Sequence, residues 1–308
     1  MNYQILGGIF LGWSLGANDA ANVFGTAVSS NMVSFRKATI LVAIFVLLGA
    51  VISGMPGLKT LGNLTSQTLN TAFIISLAAG ITVTLMSVFG IPVSVSQAVV
   101  GAIIGQGILQ GQLNFSELTK VIICWVASPL SAVVISFFLY PVLAGFFRKL
   151  HLHFLIYDKL MRFFLILAGI YGAYALGANN VANVSGVFYQ AKILNSYSAL
   201  LIGGLSIGFG ALTCSRGVML TVGRRIIPLD VFSSFIVVLS GAIAVHIFAL
   251  IGVPVSASQS VVGAVFGIGL LKGMKMVNKK TLYKILFGWF LTPLIGIVLS
   301  IVLKKCFF

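Results

Sequence analysis

The stretch GANDAANVFGTAVSS, residues 16–30, places an aspartate, Asp19, and two asparagines inside an otherwise apolar run. A second stretch, GANNVANVSGVFYQA at residues 177–191, repeats the pattern with Asn180 in place of the acid. A carboxylate and several amides in apolar surroundings are costly unless they bind a partner, and such groups usually mark a functional site. These two stretches therefore decide how the rest of the chain is interpreted.

The composition assigns the chain to a class. Of its 308 residues, 59% are hydrophobic and only 7% are charged, and apolar stretches long enough to cross a bilayer recur along the whole length. The first residues contain no basic region and no small-residue cleavage site, so we interpret them as a retained first span. We predict an all-α polytopic protein of the cell membrane, in contact with lipid over much of its surface.

The formal net charge of +15 comes mainly from Lys and Arg in short predicted loops. Basic loop residues beside anionic headgroups explain this charge better than nucleic-acid binding, which we do not expect. With residues 91–110 taken as a re-entrant hairpin, the predicted loops place ten basic residues on one side and nine on the other. That count leaves the orientation undecided.

Four pairs of motifs recur in the same order along the chain. GAND returns as GANN, KTLGNLT as LTVGRRI, IPVSVSQAVVGAIIGQG as VPVSASQSVVGAVFGIG, and CWVASPL as GWFLTPL, at offsets of 161, 161, 162 and 164 residues. Such constant spacing indicates a duplicated architecture with halves at 1–150 and 151–308. We expect the halves to be inverted, because alternating access requires one site that can be reached from either side.

Each half is predicted to contain an interrupted first span, several further spans and a short Pro-led segment. The Pro-led segments, 91–110 and 253–271, follow the preceding span with almost no loop, so we interpret each as a re-entrant hairpin of two half-helices. Division of residues 119–147 at Pro129 and Pro141 would give each half the odd number of crossings that inversion requires. The predicted spans are 4–29, 38–55, 70–90 and 119–147 in the first half, and 162–189, 197–214, 231–251 and 281–304 in the second.

Asp19 is the only acid within a predicted span, and it needs a cation, a proton or a hydrogen-bond donor. Asn18 and Asn22 supply amide oxygens beside it, and Gly16 is expected to loosen the helix and free backbone carbonyls. Oxygen ligands of this kind suit a hard cation such as Na⁺, so Asp19 and Asn18 form a candidate Na⁺ site. Coupling-ion candidates are Asn18, Asp19, Asn179 and Asn180, although neutral amides are also ordinary contacts between membrane helices.

The two Pro-led segments carry the pattern Pro-Val-Ser-x-Ser-Gln. Pro92 and Pro254 suit the first turn of a half-helix, where free backbone N–H groups and the helix dipole favour an oxyanion. The structural alternative is simple helix capping by serine. Candidate anion-binding residues are Ser94, Ser96, Gln97, Ser256, Ser258, Gln259, Asn22 and Asn183.

In these residues the chain resembles the inorganic phosphate transporter (PiT) family. The resemblance rests on a GAND-x-AN-type motif in each half and on the paired Pro-Val-Ser segments, and it covers essentially the whole chain. It implies a symporter of inorganic phosphate driven by Na⁺ or H⁺, without another cofactor, and a homodimer of inverted repeats. It places the asparagines and Asp19 at the ion and substrate sites, with Ser94, Ser96, Ser256 and Ser258 holding the anion.

Two departures from the family pattern leave alternatives open. Asn180 stands where the family usually has Asp, and Gln97 and Gln259 stand where Thr-His is common. Loss of an acid makes a sulfate or related oxyanion permease more credible, because sulfate offers only acceptors. A passive anion channel is the remaining transport alternative. We do not expect an enzyme, because one acid and one His, His246, within the spans do not form a catalytic set.

Overall fold

The computed structural model describes residues 3–88, 93–216, 219, 229–273 and 279–307, and all regular structure in these residues is helical. The helices of the described part are α1 Ile5–Ser29, α2 Phe35–Ser53, α3 Met55–Gly62, α4 Leu69–Val88, α5 Val95–Gln110, α6 Phe115–Lys149, α7 Phe154–Gln190, α8 Ser196–Cys214, α9 Val231–Ile251, α10 Ala257–Lys272 and α11 Lys279–Phe307.

Seven of the described helices are long and apolar enough to cross a membrane: α2, α4, α6, α7, α8, α9 and α11. The most apolar windows of α6 and α11 are mostly exposed, and α6 presents an unpaired stripe that includes Val126, Val134 and Phe138. A helix with an apolar exposed face is stable only where the surrounding medium is itself apolar. The all-helical, multi-pass membrane class predicted from composition is confirmed.

The first helix corrects the prediction of an interrupted span. α1 is one continuous helix, and Gly16 is a helical residue within it. A Cβ at Gly16 would collide with the carbonyl oxygen of Ile207 on α8, and one at Gly177 would collide with the carbonyl oxygen of Val46 on α2. The motif glycines therefore allow close helix packing, as small residues do at membrane-helix interfaces, and they do not free backbone carbonyls.

Corresponding helices of the two halves run antiparallel. Along α1, Gly8 lies against Phe188 and Gly169 lies against Phe24, so the contact position on α7 falls as the position on α1 rises. α2 and α8 behave in the same way, because Gly204 contacts Leu47 while Gly208 contacts residue 43. Antiparallel pairing of sequence-equivalent helices supports the inverted relationship expected for the halves.

The re-entrant segments are built differently from the prediction. The described parts of 91–110 and 253–271 each contain one helix of 16 residues, α5 and α10, preceded by extended backbone. A helix of that length spans roughly 24 Å, less than the hydrocarbon core of a bilayer. The other arm of each hairpin is the preceding helix, because the starts of α4 and α9 lie beside the ends of α5 and α10: Thr65 contacts Gln110, and Asp230 contacts Lys272.

This pairing changes the count of crossings. The division of 119–147 at its prolines is wrong, because α6 continues through Pro129 and Pro141. The odd count in the first half arises because α4 belongs to a hairpin and is not a crossing. The crossings are then α1, α2 continued by α3 after Gly54, and α6. Three crossings, an odd number, in the first half are compatible with the inverted relationship that the sequence predicts.

The base of the second hairpin is closed by an ion pair between Asp230 and Lys272. Asp230 also caps α9, where Ser233 donates to it from its backbone nitrogen at 2.9 Å and its hydroxyl at 2.7 Å. Burial alone would raise the pKa of the Asp230 carboxyl, but the hydrogen bonds from Lys272 and Ser233 outweigh burial and hold that pKa below its usual range. The ionised carboxylate therefore ties the two arms together.

Replacing Asp230 with Asn tests this tie. Because the folded-state pKa lies below the unfolded one, the stabilisation is present at neutral pH and disappears as the pH falls through the folded-state pKa. Since both side chains are partly exposed, we expect a loss of about 0.5–1 kcal/mol at pH 7. Thermal unfolding of both proteins in detergent should show a gap in stability at pH 7 that begins to narrow near roughly pH 4 and closes as the pH falls below the folded-state pKa of Asp230. A constant gap across this range would contradict the account.

The ends of the helices form two faces of the bundle. One face, here called the basic face, contains the α1–α2 turn at 30–34, the α6–α7 turn at 150–153 and the base of the second hairpin. Phe147 at the end of α6 packs there against Tyr157 and Phe232. The opposite face contains the α3–α4 connection, the base of the first hairpin and the end of α7, which line one cavity of about 480 Å³.

The described basic side chains are unevenly distributed between the faces. Those on the basic face are Arg36, Lys37, Arg148, Lys149, Lys159, Arg162, Arg216 and Lys272. Those on or near the opposite face are Lys59, Lys120, Lys192, Lys304 and Lys305. The other six Lys and Arg side chains lie outside the described ones, so the predicted count for the whole chain stays a prediction.

Candidate functional site

The two repeated motifs meet where α1 and α7 cross. Asn180 Nδ2 lies 3.4 Å from Asp19 Oδ2, and Asn22 Nδ2 donates to Asp19 Oδ1 at 3.1 Å. Asp19 is 4% exposed and forms no ion pair with any described residue. A buried carboxylate held by two amides, with no cationic side chain, is a strong candidate for binding a mobile cation.

The amides of α7 connect this carboxylate to both hairpin tips. The tips are the extended residues before α5 and α10 together with the first turn of each helix, 93–97 and 255–259. Asn183 Nδ2 donates to Asn180 Oδ1 at 2.8 Å and to Ser96 Oγ at 3.0 Å. Asn179 forms a two-way pair with the backbone of Val255, donating to its oxygen at 2.8 Å and accepting from its nitrogen at 2.9 Å. One network therefore joins the motif helix to the starts of both short helices.

The two hairpin tips also contact each other reciprocally. Ser96 Oγ donates to the oxygen of Val255 at 2.9 Å, and Ser258 Oγ donates to the oxygen of Val93 at 3.1 Å. The N-termini of α5 and α10 thus meet from opposite halves at the centre of the bundle. Two helix N-termini that converge on one point create a region favourable to an anion.

Capping explains only part of the serine pattern. Ser256 is the N-cap of α10 and its hydroxyl accepts from the nitrogen of Gln259 at 3.3 Å, whereas Ser94, the N-cap of α5, makes no side-chain cap. The prediction that Pro254 lies in the first helical turn is wrong, because it lies in the extended segment before Ser256. Pro92 lies outside the described residues.

Several buried polar atoms around the tips have no hydrogen-bond partner in the described structure. Unpartnered polar atoms are costly in an apolar interior, and in a native fold each calls for a ligand or another explanation. They are Ser94 Oγ, Gln97 Oε1, Asn183 Oδ1, Gln259 Oε1 and Ser260 Oγ. Because these atoms lie around the two tips, we interpret this region as a candidate binding site for a polar ligand.

The structure places most of the predicted site residues around one centre, with Asn18 toward the edge. Asn18 Nδ2 donates to Ser87 Oγ at 2.8 Å, near the end of α4. Sequence reasoning missed Ser87 and the backbone oxygens of Val93 and Val255. Ser87 lies five residues before the first Pro-Val-Ser motif, and this short spacing in the sequence is the signal by which Ser87 could have been predicted.

The side chains at this centre are suited to reversible binding. Among the described residues, no group of three or more His, Cys, Asp or Glu side chains could hold a metal ion. His246, which lies outside this network, is hydrogen-bonded through Nδ1 to the hydroxyl of Tyr171 at 2.9 Å. Amides, hydroxyls and helix N-termini around one carboxylate can bind an anion and a cation reversibly.

A membrane-embedded bundle with two hairpins that meet at such a centre defines a transport protein. The chain belongs to the phosphate transporter family (PHO4), which it matches over residues 15–300. The resemblance to a phosphate transporter family found in the sequence is thereby confirmed.

Individual relatives agree with this assignment over nearly their whole length. The chain is 32% identical to a Methanocaldococcus jannaschii protein named "Putative phosphate permease MJ0630", over 99% of this chain and 97% of that one. It is 30% identical to the sulfate permease CysP of Bacillus subtilis, over 98% of this chain and 87% of that one. A solved structure titled "The sodium-dependent phosphate transporter" superposes with a TM-score of 0.87 at 26% identity, covering 98% of both chains.

Proposed function

We propose that this protein is a secondary active transporter that carries inorganic phosphate across the cell membrane together with Na⁺. The observation that carries the proposal is the meeting of the buried Asp19 network with two hairpin tips at the centre of the bundle. The family and the named relatives support phosphate as the substrate. The protein acts by binding and release and is not an enzyme.

The cation site is built on Asp19, with Asn179 and Asn180 in the same hydrogen-bond network and Asn18 adjacent to Asp19 in the chain. Na⁺ is the favoured ion because the available ligands are oxygens and because the structural relative is named as sodium-dependent. Asn180 provides an amide where a second carboxylate would add a charge. A single negative side chain is balanced by a single monovalent cation, so we propose one Na⁺ at this position.

The anion site lies between the tips, where Ser94, Ser96, Gln97 and their counterparts Ser256, Ser258 and Gln259 converge. In the described conformation Ser96 and Ser258 each donate to a carbonyl of the opposite tip. Separation of the tips would release both hydroxyls toward an anion without introducing a fixed positive charge. The anion can then be released again on the other side, as transport requires.

The unpartnered amide oxygens favour phosphate over sulfate. Gln97 Oε1, Gln259 Oε1 and Asn183 Oδ1 are acceptors, so each requires a donor from its ligand. Phosphate carries at least one proton near neutral pH and can donate, whereas sulfate cannot. A site whose buried acceptors remain unpaired discriminates against such a ligand. Sulfate stays the second candidate because of the similarity to the sulfate permease.

Uptake into proteoliposomes tests the function. We expect labelled phosphate to accumulate when an inward Na⁺ gradient is imposed, and not when only a pH gradient is present. Excess unlabelled phosphate should abolish the signal, whereas the same excess of sulfate should leave most of it. Stronger competition by sulfate would establish the sulfate reading, and uptake that ignores both gradients would indicate a passive channel.

Replacing Ser96 with Ala tests the tip contact. The change removes one of the two acceptors of Asn183 Nδ2 and one of the two donors to the oxygen of Val255, and with them the contact between the two tips. We expect the KM for phosphate to rise about 10-fold or more, equivalent to at least one lost buried hydrogen bond. The matched control is Ser185→Ala on α7, because that hydroxyl bonds only to Val181 of its own helix and its loss should leave the KM unchanged. Equal effects of the two changes would contradict a role in binding.

The orientation follows from the distribution of charge. Short cytoplasmic loops are enriched in Lys and Arg, and the described residues place more of them on the basic face. We therefore propose that the basic face is cytoplasmic and that α1 begins outside. The halves 1–150 and 151–308 act as inverted repeats, and two copies form a homodimer as the family resemblance implies.

A further inference from the structure

A cavity of about 500 Å³ opens on the basic face between the α1–α2 turn and the start of α7. Three basic side chains line it: Lys37, Arg162 and Arg216. Asn31 and Ser34 complete its polar side, and no carboxylate is among the lining residues. The remaining lining is apolar, from Val28, Met32, Val33, Phe35 and Ile166. We call this space the basic cavity.

The charges of the basic cavity are poorly neutralised within the described structure. Arg162 meets Asp158 only at 3.9 Å, one turn away on the same exposed helix face. Arg216 lies over the ring of Phe35 at 5.9 Å, and neither it nor Lys37 forms an ion pair with a described residue. Three cations that share one cavity repel each other, and an anion between them relieves that repulsion.

The start of α2 adds donors of its own. Ser34 is the N-cap, with extended backbone, and its side chain makes no cap hydrogen bond. The first described backbone bond of this turn runs from the nitrogen of residue 38 to the oxygen of Ser34, which leaves the amides of residues 35–37 without a backbone partner. Free amides at the start of a helix favour an anion, and here they lie at a cavity with three basic side chains.

The basic cavity is not a consequence of the duplicated fold. At the repeat offset of 161, Lys37 corresponds to Ser198 and Arg216 corresponds to Met55. At the same offset Arg162 corresponds to Met1, and Asn31 corresponds to Lys192. The equivalent positions of the other half therefore carry one basic residue in place of these three, so the set Lys37, Arg162 and Arg216 is specific to this cavity.

We propose that the basic cavity binds a phosphate group, either free inorganic phosphate or the headgroup phosphate of an anionic lipid. Guanidinium groups match phosphate geometry in bidentate fashion, and Lys37 adds a point charge. The apolar part of the lining suits the glycerol and upper acyl region of a lipid. This site lies beyond Asn22 toward the end of α1, and it does not depend on which anion the central site transports.

Two binding measurements test the proposal and distinguish the sources. The test variant is Lys37→Gln with Arg162→Gln and Arg216→Gln. The control removes three charges from the same face outside the cavity, by Arg36→Gln, Arg148→Gln and Lys149→Gln. The first measurement counts labelled inorganic phosphate bound per chain in nanodiscs of phosphatidylcholine alone. The second uses native mass spectrometry to count phosphatidylglycerol molecules retained against a phosphatidylcholine background.

If free phosphate is the ligand, the test variant binds one phosphate fewer per chain than the unmodified protein, while the control does not. If a lipid is the ligand, the test variant loses a retained phosphatidylglycerol, with affinity reduced about 10-fold or more, and the control keeps it. If test and control variants behave alike in both measurements, the proposal is wrong and the residues are ordinary charges of a cytoplasmic face. Ser96→Ala is measured in parallel because it alters the central site. A loss of binding at the central site can therefore be distinguished from a loss of binding at the basic cavity.

Discussion

Replacing Asp19 with Asn is expected to reduce Na⁺-driven phosphate accumulation at least about 100-fold, equivalent to roughly 2.7 kcal/mol. The amide preserves the size of the side chain, and its one oxygen can accept from either Asn22 or Asn180, while its NH2 group replaces the second acceptor. What disappears is the negative charge that no described cationic side chain balances. Without this negative charge the site no longer attracts Na⁺, and the Na⁺ gradient cannot drive uptake of the anion.

A swap of the charge between repeats makes this test specific. Asp19 and Asn180 are repeat equivalents in contact with each other, so Asp19→Asn combined with Asn180→Asp returns one carboxylate to the same centre. We expect the double variant to regain part of the lost uptake. The measurement is initial uptake at saturating phosphate with and without a Na⁺ gradient. Retention of full gradient-driven uptake by Asp19→Asn alone would remove Asp19 from the coupling mechanism.

Replacing Gly177 with Ala is expected to destabilise the fold more than any other single methyl addition proposed here. A Cβ at this position would overlap the backbone oxygen of Val46 on α2, and backbone cannot move aside as a flexible side chain can. α2 and α7 would have to separate where they pack. Overpacking of this kind costs about 3 kcal/mol or more when no side chain can yield.

Gly145 provides the matched control for this substitution. It lies in the interior of α6, and a Cβ added there would meet nothing within 4 Å. Gly145→Ala should be neutral or stabilise by up to about 1 kcal/mol, because Ala is the better helix former. Thermal unfolding in detergent, with the monodisperse fraction, compares the two. Equal stability of both variants would show that the motif glycine has no packing role.

The sequence by itself determined the class and the residues of the candidate site. A chain that is 59% hydrophobic leaves few architectures other than a helical membrane protein, and its nearly constant motif offsets predict a duplication. Asp19 and the motif asparagines were identifiable because polar groups in an apolar span are expensive, a property that any single segment displays. The Pro-Val-Ser segments were identifiable for a similar reason. These are local signals, and the sequence records local signals directly.

Only the tertiary structure decided which segments pair. Hydropathy cannot distinguish α4, an arm of a hairpin, from a crossing, because both are apolar helices of similar length. The contacts of Ser96 with Val255 and of Asn18 with Ser87 join residues far apart in sequence. The basic cavity likewise unites Lys37, Arg162 and Arg216 from three separate stretches. Such proximity depends on how helices from the two halves pack together, and a hydropathy pattern contains no information on that packing.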